Sequence, residues 1–384
     1  MRDRGFERVR QGLQIFIQAQ RLAPVQQRRQ AAFARGPDLG AAGGVESKKS
    51  GVDGTGSWAT STRVAVARAG KQESNLAIVR FVNMSAFRPA APSLRIFDVA
   101  VADAVALRVA EVGEGPPVLL LHGFPDNGDL WLPLAARLAT RHRVWMPDLR
   151  GYRQSAKPPA VQDYAIAALR ADVAALVHRL GGGAPVALAG HDWGGMLAWA
   201  FAATQPSQVE RLVIFNAPHP CRFAELLQSD PAQRAASAYV QRLSAPGAEA
   251  SLAAEGYARL HALLAHSMPT LAADEIESLA AGWAVPGALT AMLNWYRALD
   301  IHNPHAVPSL GAASGRIEAP TLLLWGEQDG SFVPANLEGL ERWVPRLRLR
   351  RFADAGHWLP REQPSAVADA MLLFLAEPSP TASA

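Results

Sequence analysis

Residues 186–197 read V-A-L-A-G-H-D-W-G-G-M-L, and the rest of the chain is best understood outward from them. A short apolar run of Val, Ala and Leu stops at Gly190, an acid follows at Asp192, and a helix-compatible pattern begins after Gly194. That layout is a strand-to-helix turn that holds one side chain out at the end of a sheet. Small residues flank the turn because neighbouring backbone comes very close. An isolated Asp at a helix start would be read as a cap. The flanking glycines and the preceding strand instead make Asp192 the nucleophile of an elbow, a carboxylate where such turns usually carry serine.

On both sides of this turn the chain alternates strands and helices. Residues 94–100 and 105–112 read as paired short strands with turn glycines at Gly113 and Gly115. Residues 117–121 and 144–146 are continuous apolar runs of the kind buried in a parallel sheet. They are separated by a helical segment over 130–140. Residues 164–180 carry Ile166, Leu169, Val173, Leu176, Val177 and Leu180 on one helical face. After the elbow come a helix to about residue 204 and a strand over 212–215. The alternation then stops for roughly a hundred Ala- and Leu-rich residues and resumes with strands at 321–325 and 347–352 and a helix over 365–376. Such a pattern predicts an α/β fold with a mostly parallel, doubly wound sheet. The core is expected at 84–216 and 317–384, with a helical cap inserted at 217–316.

Charge is unevenly distributed. Residues 1–83 hold 14 Lys and Arg against 6 Asp and Glu, whereas the remainder holds 24 against 28, so the net charge of +4 belongs to the N-terminal segment. The body has no basic excess for phosphate, and no nucleic-acid partner is expected. Residues 1–83, rich in Gln, Arg, Ala, Gly and Ser, read as a disordered extension whose first thirty residues could form a basic amphipathic helix. Met84 is the expected start of the ordered body. No apolar run reaches the ~18 residues of a membrane span. A single cysteine, Cys221, fits a reducing compartment, and the cytoplasm is the expected location.

Two further residues join Asp192. Asp329 follows the strand at 321–325 in G-E-Q-D, and His357 follows the last strand in A-G-H-W. Nucleophile, acid and base thus appear in the chain order of an α/β-hydrolase sheet, each at the carboxyl end of a strand. Glu327 and Asp354 compete with Asp329 for the acid role. The turn H-G-F-P at 122–125 is placed to supply the Phe124 N–H, beside that of Trp193, as an oxyanion hole.

With H-G-F-P-D at 122–126, G-H-D-W-G-G at 190–195, N-A-P-H-P at 216–220, N-W-Y-R at 294–297, G-E-Q-D at 326–329 and G-H-W at 356–358, the body from about 93 to 377 resembles the epoxide hydrolases of the α/β-hydrolase fold. The resemblance implies an Asp nucleophile at Asp192, a base at His357 and its acid partner at Asp329. It also implies two cap tyrosines that hydrogen-bond the epoxide oxygen. Tyr296, in N-W-Y-R, takes one of these places. Tyr239 takes the other, with Tyr257 as its competitor. The chemistry expected is opening of an epoxide to a vicinal diol through an alkyl ester on Asp192, with substrate and water as the only small-molecule partners. No cofactor and no metal are expected, and self-association into a homo-oligomer is left open.

Haloalkane dehalogenases share the Asp–His–acid set. They need side-chain donors for the leaving halide, and Phe124 has none where those enzymes often carry one. A non-catalytic ligand-binding protein on the same fold would not need a complete nucleophile, base and acid.

Overall fold

The computed structural model describes residues 93–268, 271–299 and 315–378. The basic extension at 1–83 and the expected start at Met84 lie outside the described residues. Eight strands form one sheet in the order β1-β2-β4-β3-β5-β6-β7-β8. Strands β1 (Arg95–Ala102) and β2 (Val105–Val112) make an antiparallel hairpin, and β2 joins β4 (Arg143–Pro147) antiparallel. From β4 onward, β3 (Pro117–Leu121), β5 (Val186–His191), β6 (Val209–Phe215), β7 (Thr321–Gly326) and β8 (Leu347–Phe352) run parallel.

The unbroken apolar runs of the central strands follow from helices on both faces. Side chains alternate across the sheet. Leu119, Leu121, Leu188 and Ile214 enter a core with α2 (Ile166–Gly181) and α3 (Trp193–Thr204). Val118, Leu120, Ala189 and Val213 enter a second core with α1 (Leu132–Leu138) and α11 (Pro364–Leu375). Helix α3 is buried from Trp193 to Ala202 and accordingly has no polar face.

Local differences from the sequence reading have backbone causes. The helix expected from residue 164 starts at Ile166, because Ala165 is extended (φ −60°, ψ 146°) and caps a separate 3-10 turn at Val161–Tyr164. Between β6 and β7 the described chain is helical: α4 (Pro220–Ser229), α5 (Pro231–Ala236), α6 (Tyr239–Ser244), α7 (Ala248–Ser267), α8 (Ala273–Trp283) and α9 (Ala288–Ala298). Helix α7 is broken in its middle, where Glu255, Gly256 and Tyr257 all take positive φ. The short α10 (Leu359–Glu362) follows the loop that carries His357. Among the described residues no single helix is long and apolar enough to cross a membrane.

Candidate active site

The turn after β5 holds Asp192 at φ 54°, ψ −124°, a conformation that L-residues rarely adopt. The close approaches implied by the glycines are present. A Cβ on Gly194 would lie 2.3 Å from the Leu121 carbonyl oxygen, and one on Gly123 would lie 2.1 Å from Asp192 Oδ1. Only bare backbone lets the β3 loop reach the carboxylate, and there the Phe124 N–H donates to Asp192 Oδ1 at 2.8 Å.

On the other side of the carboxylate, His357 Nε2 lies 3.5 Å from Asp192 Oδ2. The same ring donates from Nδ1 to Asp329 Oδ2 at 2.9 Å. Asp329 is fixed on both oxygens: Oδ1 accepts from the Ser331 and Phe332 N–H groups at 2.7 and 3.1 Å, and Oδ2 also accepts from Asn216 Nδ2 at 2.8 Å. The competing acids are elsewhere engaged or exposed, since Glu327 pairs with Arg351 and Asp354 is exposed.

Burial and charge set the protonation states. Burial alone would raise the Asp192 carboxyl, but the hydrogen bond and charge of His357, the His191 ring and the Trp193 N–H hold it below the ordinary carboxylate range. Burial would lower His357, but the Asp329 and Asp192 carboxylates outweigh it and raise the imidazole to about 10. In the resting site Asp192 is therefore an anion and His357 an imidazolium between two carboxylates. Burial raises Tyr296 and Tyr239 above the ordinary phenol value, with the Asp192 charge adding to both, so each keeps its proton.

Asp192, His357, Phe124, Tyr239 and Tyr296 line one cavity of about 660 Å³ between the sheet's carboxyl edge and the inserted helices. Tyr296, on α9, stands edge-on to Trp193 and to Phe124 at centroid distances of 5.1 and 5.4 Å, and Tyr239 lies 6.4 Å from Tyr296. Tyr257 packs on Trp283 and is not among the lining residues. Of the catalytic candidates, Asp192, His357, Tyr296, Tyr239 and Phe124 thus meet at this cavity, Asp329 reaches it through His357 and Trp193 follows Asp192 at the start of α3, whereas the competitors Glu327, Asp354 and Tyr257 do not line it. Among the described residues no group of His, Cys, Asp and Glu could hold a metal ion.

Several supporting residues had no role in the sequence reading. Asn216, at φ 40°, links the end of β6 to β7 by accepting the Gly326 N–H and donating to Asp329. The N-A-P-H-P motif contains it, but the positive φ and a partner 113 residues away are invisible in one dimension. His191 Nε2 donates to the His357 carbonyl at 2.8 Å, and Glu362 accepts the Gly356 and Trp358 N–H groups, so the His357 loop is tied down from both ends.

Arg361 forms a third tie. It donates to both oxygens of Asp126 at 2.8 Å and to Glu275 of α8 at 2.8 Å, joining the H-G-F-P-D loop, the short helix after His357 and the inserted helices. Its side chain is 9% exposed and that of Asp126 is 1% exposed. Removing one member of a buried pair leaves the other charge stranded, at a cost of about 3–5 kcal/mol. Arg361→Met is therefore expected to lower the free energy of unfolding by about that amount. Urea denaturation checks this, and an unchanged midpoint would show that Asp126 finds other partners.

The fold and the geometry have counterparts among known proteins. The model of the alpha/beta hydrolase fold family matches residues 116–364. The AB hydrolase superfamily protein YfhM of Bacillus subtilis is 34% identical over 277 residues, covering 71% of this chain and 94% of that protein. Epoxide hydrolase 3 of Xenopus tropicalis is 33% identical over 271 residues, covering 68% of this chain and 72% of that protein. The crystal structure of Bacillus megaterium epoxide hydrolase in complex with an inhibitor superposes with a TM-score of 0.69 at 29% identity, covering 74% of this chain and all (100%) of that one. For potato epoxide hydrolase I the TM-score is 0.65 at 26% identity, with 74% and 99% covered. The chain belongs to the α/β-hydrolase fold family and groups within it with the epoxide hydrolases.

Proposed function

We propose that this chain hydrolyses epoxides to vicinal diols through a covalent alkyl ester on Asp192, with the helices between β6 and β7 acting as the cap that closes the site. The observation that carries this reading is a carboxylate, not a hydroxyl, at the elbow, facing two protonated phenols across one cavity. A strained ether carbon needs a nucleophile on one side and an acid for the leaving oxygen on the other.

Asp192 Oδ1 is held by the Phe124 N–H, so Oδ2 is assigned as the attacking atom. It forms a C–O bond as the ring C–O bond breaks, and a tyrosine hydroxyl donates its proton to the ring oxygen. Alkylation removes the charge of Asp192. His357 thereby loses one of the two carboxylates that hold its proton, and that proton passes to the phenolate. The neutral ring then deprotonates a water that attacks the ester carbonyl carbon. Oδ1 carries the negative charge of the tetrahedral intermediate, facing the N–H groups of Phe124 and Trp193. Collapse breaks the Cγ–Oδ2 bond, and the departing alkoxide takes the remaining water proton from the new Asp192 hydroxyl; this releases the diol, restores the carboxylate and leaves His357 protonated, so epoxide plus water balances diol with the resting site regenerated. The absence of a side-chain donor at Phe124 favours this leaving group over a halide.

Two results test the acid and base roles. Tyr296→Phe should lower the alkylation rate by ~10²–10⁴-fold, the usual range for a lost general acid. Tyr239→Phe should have a smaller effect because one phenol remains, and the double variant should lose more than either. Circular dichroism should be native in all three, and full alkylation by Tyr296→Phe would remove that residue from the site.

The second result is a pH dependence. The free enzyme keeps Asp192 ionised below the ordinary carboxylate range, so kcat/KM should hold through mildly acidic pH and fall only as pH drops through that depressed value. In the alkyl-enzyme the His357 pKa drops from about 10, because the Asp192 charge is gone. Where hydrolysis limits turnover, kcat should rise with pH through that lowered value. Profiles of kcat and kcat/KM that superimpose would contradict the assignment.

A further inference from the structure

The turn that carries the Phe124 N–H is held from two sides. From the core, His122 donates from Nδ1 to the Gly123 carbonyl at 3.0 Å while its Nε2 accepts the Leu149 N–H, and the Asp126 N–H closes the turn onto the same carbonyl at 3.1 Å. Phe124 gives its own N–H to Asp192, and the next residue is a proline, which has no N–H to anchor. Only the Pro125 carbonyl is left for a tie at that point. It accepts from the indole Nε1–H of Trp283, the last residue of α8, in a buried contact of 2.7 Å.

Other residues of α8 at helical spacing meet the same stretch of the core. Glu275 reaches Asp126 through Arg361, Ser278 lies 3.5 Å from Asp129, and Gly282 lies against Arg153, where an added Cβ would stand 3.0 Å from Cγ. One face of α8 therefore runs along residues 125–129 and their partners. The Trp283 ring, 3% exposed, also packs on Tyr257 and His261 of α7 at centroid distances of 5.7 and 5.6 Å. Leu260 of that helix lines the cavity, so the indole stands between a cavity-lining helix and the turn.

We infer that Trp283 is a positioning residue for ester hydrolysis: by holding the Pro125 carbonyl it keeps the Phe124 N–H aimed at Asp192 Oδ1, the oxygen that becomes the oxyanion. The step it favours rests on the epoxide-hydrolase reading; the aim of the N–H does not.

The two half-reactions should respond differently. In alkylation Oδ1 passes from a carboxylate oxygen to an ester carbonyl, a weaker acceptor, so the Phe124 N–H favours the reactant at least as much as the transition state. In hydrolysis Oδ1 passes from that ester carbonyl to an oxyanion, and the same N–H favours the transition state. Loosening the turn should slow the second step and spare the first, whereas a general loss of packing would slow both.

The test follows both steps in single turnovers of styrene oxide, by rapid quench and intact-protein mass. In Trp283→Phe the hydrolysis rate constant should fall about tenfold, less than the ~10²–10³ of a deleted oxyanion donor, because the Phe124 N–H is loosened and not removed. Alkylation should change little, so the ester accumulates; where hydrolysis limits turnover, kcat and KM should fall together with kcat/KM kept. Amide hydrogen exchange at Phe124, read by NMR without substrate, should accelerate while the amides of β5 keep their protection. Trp295→Phe is the control, because Trp295 Nε1 donates to the Arg150 carbonyl at 2.9 Å, another buried indole bond from an inserted helix to the core but not to the turn. It should produce neither the selective slowing nor the faster exchange. Should Trp283→Phe fail to fold, replacing Trp283 by its benzothienyl analogue, with sulfur in place of the N–H, removes the donor at nearly constant shape and decides instead. Equal slowing of both steps, hydrolysis at the wild-type rate, or the same selective effect in Trp295→Phe would overturn the role. If the wild type opens no epoxide, the reaction reading falls and exchange alone decides: acceleration at Phe124 upholds the tie, and unchanged exchange overturns it.

Discussion

Asp192→Ala is expected to lower diol formation by ~10⁴-fold or more, the scale on which enzymes lose turnover when a nucleophile that works as part of a unit is removed. The size follows from geometry. The carboxylate is the cavity's buried anion, its Oδ1 is fixed at 2.8 Å from the Phe124 N–H and its Oδ2 lies 3.5 Å from His357 Nε2. No neighbouring carboxylate can replace it: Asp329 sits behind His357 with both oxygens occupied, and Glu362 is bound to backbone. The substitution also removes an anion from His357, whose pKa should therefore fall from about 10. A histidine titration in the variant reads that shift independently of catalysis. Turnover within tenfold of wild type would show that Asp192 does not form the bond.

His357→Gln should have an effect of similar size on turnover but a different character. Alkylation needs the Asp192 anion and a phenol, both of which remain, so the variant should consume about one equivalent of epoxide and stop. Without a base the ester persists, and intact-protein mass should rise by the mass of the epoxide. Removal of the imidazolium also strips Asp192 of the interaction that outweighs its burial, so its pKa should rise and alkylation should need a higher pH than in the wild type. Continued turnover at the wild-type rate, or the absence of any adduct, would contradict the base assignment.

The elbow was readable in the sequence because its constraints are local. Gly190 and Gly194 are required by backbone contacts within a few residues or to the adjacent strand β3, and the apolar run before them is a strand buried on both faces. The same holds for β3, for the 212–215 stretch of β6 and for β7, whose hydrophobic runs leave little else to be. Asp329 and His357 were legible as candidates from their positions just beyond β7 and β8, although β8 itself alternates Leu with exposed Arg. What escaped depends on contacts across the chain: Asn216 on Asp329, and Arg361 joining Asp126 to Glu275 over sequence separations of 235 and 86 residues. Local sequence favours Tyr239 over Tyr257 without a geometric reason for the choice. Both lie in Ala-rich helical sequence; in the structure Tyr257 sits in the positive-φ break of α7 and packs on Trp283, while Tyr239 lines the cavity.

The central claim is that water attacks the Asp192 carbonyl carbon and not the epoxide itself. Its most direct test is a single turnover in water enriched in heavy oxygen, with enzyme in excess over epoxide. The ester route predicts that the first diol carries no label and that one heavy oxygen appears in the peptide containing Asp192. Label in the diol from that first turnover, with none in the Asp192 peptide, would mean that water opens the epoxide directly and that Asp192 is not the nucleophile.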